Sequence, residues 1–174
     1  MADRPVQAAE IQALNPERFP SLDLIRPDLK IRETGDGILH VQDALRRKWL
    51  VLSPEEWVRQ HVVHWLLHQT RFPSSLLSLE RGIPGGNSGR TDVLGFDRQG
   101  RSLLLVECKA AQVKIDSSTV IQALAYNASI CARFIWLSNG LQHKVLELNP
   151  DFSLKNEPAI LPEFSRMVEI AGLR

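Results

Sequence analysis

Asp92, Glu107 and Lys109 are the residues of this chain whose types and spacing most clearly suggest chemistry. The apolar run Leu103 to Val106 has the length and branching of a buried strand, and it ends in Glu107-Cys108-Lys109, where charge abruptly begins. Side chains alternate faces along a strand, so Glu107 and Lys109 point the same way and Cys108 the other. Upstream, the stretch from Gly89 to Phe96 runs into a turn at Asp97-Arg98-Gln99-Gly100. Asp early, Gly late and a short connection predict an antiparallel hairpin. That hairpin would carry Asp92, at the start of one strand, to Glu107 and Lys109 at the end of the next. Two converging carboxylates repel unless they share a cation. Oxygen ligands favour Mg²⁺ or Mn²⁺, held through one or two carboxylates plus water and substrate phosphate. The bland alternative is a structural ion pair with one spare acid, but a buried surplus carboxylate needs a reason to be there.

The elements that must position these groups are legible in outline. Ser53-Pro54-Glu55-Glu56 is a helix start: Ser53 caps, Pro54 suits the first turn, and Glu56 stands where a capping box places its acid. The helix is predicted to run to about Gln69, with an apolar stripe of Trp57, Val58, Val62, Trp65 and Leu66. Glu55 can pair with Arg59 one turn on. His61, His64 and His68 share the helix; no Glu lies between the last two, so a zinc-protease motif is absent and half-buried or surface histidines are expected.

Phe72-Pro73 breaks that helix, and Ser74 to Arg81 gives the first core strand, with Glu80 near its end either exposed or facing a metal. The loop from Gly82 to Thr91 lacks the Gly-Lys-Ser/Thr ending of a nucleoside-triphosphate loop and reads as a turn delivering Arg90 and Asp92. A helix over Ser118 to Ala132 places Gln122 and Tyr126 on one face. Gln122 could equally close a capping box with Thr119 while Tyr126 packs. Arg133–Ser138 and Leu141–Leu148 form a hairpin around Asn139-Gly140, where His143 is an exposed strand position or a phosphate contact.

Several stretches in order resemble the nuclease domain at the N-terminus of type I restriction enzyme R subunits, within the PD-(D/E)XK nuclease superfamily. They are Arg46-Arg-Lys-Trp49, Ser53 to Gln60, Arg90-Thr-Asp92, Val106-Glu-Cys-Lys109, Gln122 to Asn127 and Ser138-Asn-Gly140. Thr91 stands where the superfamily often has Pro. The resemblance implies an α/β, restriction-endonuclease-like core: a central mixed sheet of four to five strands flanked by helices in the order αβββαββ. It implies an Mg²⁺-dependent (endo)deoxyribonuclease. Asp92, Glu107 and Glu80 would serve the metal, Asp92, Glu107, Lys109 and Gln122 catalysis, and Arg90 and Tyr126 the DNA. The first helix of such folds often adds an acid, for which Glu56 matches best, although it could only cap. The alternative within the same fold is a non-catalytic DNA-binding or subunit-docking module of a restriction or defence complex. Other such subunits are candidate partners, a homodimer is an option for cutting both strands, and an ATP-driven motor would belong to another chain.

Bulk properties set the frame. A chain of 174 residues fits one domain with a real core. We divide it into an irregular arm over 1–29 with a short helix at Gln7–Leu14, the nuclease-like domain over 30–148, and a tail over 149–174 with a last helix at Glu163–Ala171. Lys30–Thr34 and Ile38–Gln42 read as a small hairpin. The Arg46-Arg47-Lys48 cluster is either a solvated helical face, with Leu45 and Trp49 turned inward, or a phosphate contact. Cys108 and Cys131 read as small buried apolar groups. No apolar run reaches membrane-span length and no signal peptide is visible, which gives a cytoplasmic expectation. The net charge of +1 lacks the basic excess common in free-standing nucleic-acid binders, so either the basic residues are concentrated locally or a partner contributes binding.

Overall fold

Two sheets share one helix. In the computed structural model, which describes residues 3–82 and 90–172 and only the backbone of Arg81 and Arg90, strands β1 (Arg4–Val6), β2 (Ile31–Glu33), β3 (Leu39–Gln42) and β4 (Trp49–Val51) form a small antiparallel sheet. Helix α1 (Ala8–Leu14) lies between the first two. Helix α2 (Pro54–His68) follows, then a 3-10 turn at Ser74–Leu76 and strands β5 (Leu77–Gly82), β6 (Arg90–Phe96) and β7 (Ser102–Cys108). Helix α3 (Ser117–Ile130) leads to β8 (Phe134–Ser138), β9 (His143–Leu148) and β10 (Leu154–Asn156), before α4 (Phe164–Ile170). The large sheet has the order β10-β9-β8-β7-β6-β5 and is antiparallel except between β7 and β8, which α3 connects in parallel. A parallel pair needs such a crossover.

Strand β7 sits between β6 and β8 and is buried from Leu103 to Cys108, as its unbroken apolar run anticipates. Ser53 caps α2 by accepting the Glu56 N–H at 3.0 Å, and Pro54 occupies the first turn, where a missing donor is harmless. Val58, Val62, Val63 and Leu66 of α2 pack on Val93, Leu104, Val106 and Trp136 of the large sheet. Trp57 faces the small sheet, with Val6, Ile11, Phe19, Ile31, Val41 and Leu52, and its indole N–H donates to Pro20 O at 3.0 Å. On the opposite face of the large sheet, α3 sets Ala123 and Ile130 over Leu94, Leu105, Ile135 and Leu137. Each fully buried Val, Leu or Ile contributes roughly 1.5–3 kcal/mol.

From α2 to β9 the elements follow the expected order: helix, three strands, helix, two strands. The large sheet has six strands, one more than expected at most, because the tail segment Leu154–Asn156 adds to β9. The N-terminal arm is more regular than expected. Arg4–Val6 pairs with Ile31–Glu33, and Arg4 bonds Glu33 at 2.9 Å and Glu10 at 3.0 Å; a three-residue strand is too short for periodicity to reveal. The basic cluster Arg46 to Lys48 begins at the end of a turn over 44–46 and continues as irregular chain, not a helical face. The Asp43 carboxylate accepts the N–H of Leu45 and of Arg46, at 2.9 and 2.7 Å. Trp49 does not turn inward: it lies on edge strand β4, 37% exposed, with the Arg32 guanidinium 4.3 Å from its ring centroid. Cys131 is exposed because it caps α3 in the left-handed region, φ +60°, which swings its side chain outward.

Gly140 shows why the β8–β9 turn needs glycine: its φ is +82° and a Cβ there would lie 2.7 Å from Leu22 Cδ2. The arm also docks on this turn, with Asp23 N–H donating to Gly140 O at 2.7 Å. No described helix is long and apolar enough to cross a membrane.

Candidate active site

The β6–β7 register pairs Val93 with Val106 and Leu94 with Leu105. Continued by one residue, it sets Asp92 opposite Glu107. At this end of the ladder the Asp92 carboxylate takes the Cys108 N–H at 2.7 Å through Oδ2. On the other side, β5 pairs Leu79 with Val93 and Arg81 with Thr91, which puts Glu80 opposite Asp92. Three acids, Glu80, Asp92 and Glu107, therefore form a row across three adjacent strands. Glu80 adopts the left-handed region at φ +49°, a conformation uncommon outside glycine, and it is the one position the β5–β6 register skips.

Asp92 and Glu107 are 9% and 8% exposed. Burial pushes the Asp92 carboxyl up to about 6, against the Cys108 N–H and the Arg59 charge, which favour its ionised form. Burial, and then the neighbouring Asp92 charge, push Glu107 up to about 8, with Lys109 opposing. Glu107 Oε1 is buried with no hydrogen-bond partner among the described residues. Lys109 is half-buried, and its backbone N–H donates to Ser138 O at 2.9 Å. The structure thus brings Asp92, Glu107 and Lys109 together.

Arg59 of α2 closes the other flank. It ion-pairs with Glu56, reaches Glu80 Oε1 at 3.1 Å and reaches Asp92 Oδ1 at 3.3 Å. Burial works against its charge, but the Glu56 hydrogen bond and the three carboxylates outweigh it and raise its pKa. Glu56, rather than facing the Asp92–Glu107 pocket, is held by Arg59 and by the Gln60 amide, which donates at 2.7 Å. Glu80 Oε2 is taken by Arg46 at 2.6 Å, and that hydrogen bond, with help from Arg59, lowers its pKa. Both oxygens of Glu80, expected as a metal ligand, are therefore occupied by guanidiniums. The acid of α2 whose charge acts on both Asp92 and Glu107 is Glu55, which is exposed and makes no ion pair among the described residues. The sequence spacing offers Glu55 a pair with Arg59, but Arg59 pairs with Glu56 instead.

Gln122 is exposed on α3, and its amide donates to Tyr126 Oη at 3.1 Å. Neither bonds Asp92, Glu107 or Lys109 among the described residues. Tyr126 packs against the α3-side core, and the cap of α3 is Asp116, not Thr119: Asp116 accepts the Thr119 N–H at 3.1 Å. The side chain of Arg90 and residues 83–89 of the preceding loop lie outside the described residues. His61 is more buried than expected, at 3% exposed. Burial pushes its pKa down to about 4, and its Nδ1 meets Trp57 O at 2.8 Å. His64 and His68 stack at 4.2 Å, and His143 bonds Ser138 Oγ at 3.0 Å from an exposed strand position.

Asn139, marked by the sequence as part of the β8–β9 turn, also ties down the segment after Lys109. Its amide donates to Val113 O at 2.7 Å, and its Oδ1 accepts Leu141 N–H at 2.9 Å and Gln142 N–H at 2.6 Å. Gln142 Oε1 in turn accepts the Ile115 N–H at 3.2 Å. The β8–β9 turn thereby holds the segment that leaves Lys109. Asn139→Ala is expected to lower stability by about 1–3 kcal/mol, the range for orphaning buried polar partners. Amide exchange at Val113 and Ile115 should quicken; protection equal to wild type would show that the segment is held by something else.

The donor set fits a divalent cation of oxygen preference. The Asp92 charge raises the cost of ionising Glu107, and one Glu107 oxygen has no partner among the described residues. Among the described residues no group of three His, Cys, Asp or Glu stands ready to hold a metal. The protein would then supply two carboxylates and leave other positions to water and phosphate, as Mg²⁺ tolerates.

A search of curated proteins finds no significant match. Among solved structures, the type IIG restriction endonuclease BpuSI is similar with a TM-score of 0.43 and 19% identity, over 67% of this chain. The chain spans only 16% of that protein's length. The sequence profile of the type I restriction enzyme R protein N terminus matches residues 54–162. That interval covers well over half of the 174 residues and contains α2, Glu80, Asp92, Glu107, Lys109, Gln122 and Tyr126, and the protein belongs to the family of type I restriction enzyme R protein N termini.

Proposed function

We propose that this restriction-enzyme-related domain is an Mg²⁺- or Mn²⁺-dependent nuclease that hydrolyses phosphodiester bonds in DNA. The observation that carries the proposal is the buried Oε1 of Glu107, without a hydrogen-bond partner among the described residues, beside Asp92, whose own Oδ2 is fixed by the Cys108 N–H. Asp92 and Glu107 would hold the ion, which when bound would supply polarisation of the phosphoryl oxygen and a lowered pKa for water. Lys109, on the same side of β7 as Glu107, orients the attacking water or stabilises the charge growing on the phosphate. Glu55 adds negative charge at the mouth of the pocket. Gln122 positions the water or a phosphate oxygen, and Arg90 and Tyr126 contact the DNA backbone. Glu80 acts through Arg59, by fixing the guanidinium that faces Asp92.

Plasmid nicking with and without Mg²⁺ tests this. Lys109→Ala is expected to reduce cleavage on the order of a hundredfold or more, as loss of a preorganised electrostatic group does. Undiminished, metal-dependent cutting by that variant would assign the activity elsewhere. The net charge of +1 favours a second reading, a DNA-binding or subunit-docking module of a restriction or defence complex without cleavage. DNA binding with no Mg²⁺-dependent cutting in any substrate form would select it. Pairing of two copies to cut both strands belongs to the same proposal and is read from nicked against linear product.

A further inference from the structure

The row Glu80, Asp92, Glu107 offers two places where a cation can sit between neighbouring carboxylates, and the two are filled differently. Between Glu80 and Asp92 lies the Arg59 guanidinium, 3.1 Å from Glu80 Oε1 and 3.3 Å from Asp92 Oδ1, with Glu56 as its third acid. Between Asp92 and Glu107 no guanidinium enters among the described residues, and Glu107 Oε1 has no hydrogen-bond partner among them at 8% residue exposure. Two-metal phosphoryl-transfer sites set their ions roughly 3.5–4 Å apart, bridged by shared carboxylates. Asp92 is the shared carboxylate here, and one of its two neighbouring seats is already occupied.

We infer that Arg59 is a built-in second cation, which closes the Glu56–Glu80–Asp92 seat and limits the site to one divalent ion on the Asp92–Glu107 side. The inference rests on the metal site of the proposed nuclease and adds its stoichiometry. Arginine suits this task for three reasons. It stays charged at any working pH, its planar fork reaches several carboxylates at once, and it is more weakly hydrated than an ammonium, so it can be buried. Its side chain is 9% exposed. Arg46 supports the seat from outside, holding Glu80 Oε2 at 2.6 Å and Asp43 Oδ2 at 2.9 Å. Arg59 is thus a positioning residue: it orients Asp92 toward the ion and keeps Glu80 and Glu56 from ligating another.

Counting Mn²⁺ on the metal-free full chain by electron paramagnetic resonance, with free ion as the calibrant, provides the test. The wild type is expected to hold one ion that Glu107→Gln does not. Arg59→Met is expected to hold two, with spectra broadened by coupling between neighbouring ions. Arg59→Lys keeps a charge and is expected to hold one. Because Arg59→Met could fail to fold, Glu80→Gln provides an independent check: it weakens the Arg59 and Arg46 contacts but leaves the guanidinium in its seat, and should keep the count at one ion. Two coupled ions on the wild type, a single ion on folded Arg59→Met, or loss of the ion in Glu80→Gln each overturns the role of Arg59 while leaving the nuclease proposal standing. No ion on the wild type beyond that on Glu107→Gln overturns the metal site itself, and the inference with it.

Discussion

Glu107→Gln should lose Mg²⁺-dependent cleavage by a hundredfold or more and, at the same time, make the metal-free protein more stable at pH 8. The two effects have opposite signs because the carboxylate is costly to the fold and, in the proposed mechanism, required for the chemistry. In the folded chain Glu107 is raised from an ordinary 4.5 to about 8, by burial first and by Asp92 second. The folded state therefore holds the proton more tightly than the unfolded one. Its contribution to stability is complete below about pH 4.5 and is lost as pH rises to about 8. Asp92, raised from 3.8 to about 6, adds a loss in the same direction over a lower window. Without metal, the wild type should lose stability on the order of a few kcal/mol across this range. Glutamine keeps the shape without the charge, so most of the slope should vanish. Saturating Mg²⁺ should restore wild-type stability at pH 8 by binding only the folded, ionised site, and should do nothing for the variant. Urea titrations at several pH values, with and without Mg²⁺, measure all of this. A pH-independent wild type, or a variant less stable than wild type at pH 8, would remove the buried-acid account of the pocket.

Arg59→Leu should be among the most destabilising single changes in the chain, costing about 3–5 kcal/mol, as expected when one partner of a buried ion network is removed. The side chain faces three carboxylates from three different elements: Glu56 on α2, Glu80 on β5 and Asp92 on β6. Its loss leaves Glu56 and Asp92 buried and uncompensated, at 3% and 9% exposure, with Glu80 still held by Arg46. Arg59→Lys should cost less, because a charge remains, yet not be neutral, since an ammonium cannot reproduce the fork. The midpoint of urea unfolding is the measurement, and a loss below about 1 kcal/mol would place Arg59 with ordinary exposed ion pairs.

The sequence carried those features that depend on neighbouring residues. The cap at Ser53, the Asp97–Gly100 hairpin turn, the unbroken Leu103–Val106 run and the Asn139-Gly140 turn are local signals. Together they specify a helix, three strands, a helix and two strands, and they bring Asp92 to Glu107 and Lys109. The alternation of a strand puts Glu107 and Lys109 on one side with no tertiary information. The matches of motif and order were enough to mark the family resemblance as well.

What the tertiary structure alone decided is where α2 lies. Its flanks pack against two different sheets, so Arg59, Gln60 and His61 are buried alongside Val58 and Val62, and no polar stripe tells which side meets solvent. For that reason the sequence favoured Glu56, which Arg59 and Gln60 hold, and did not reveal that Arg59 would join acids from β5 and β6. Short strands such as β1 and β10 exist only because a distant partner supplies their hydrogen bonds, and the fates of Trp49 and Glu80 follow from their neighbours across the fold. Local periodicity encodes elements; pairing between residues dozens of positions apart encodes the electrostatics of the site, and that becomes fixed only when the chain closes on itself.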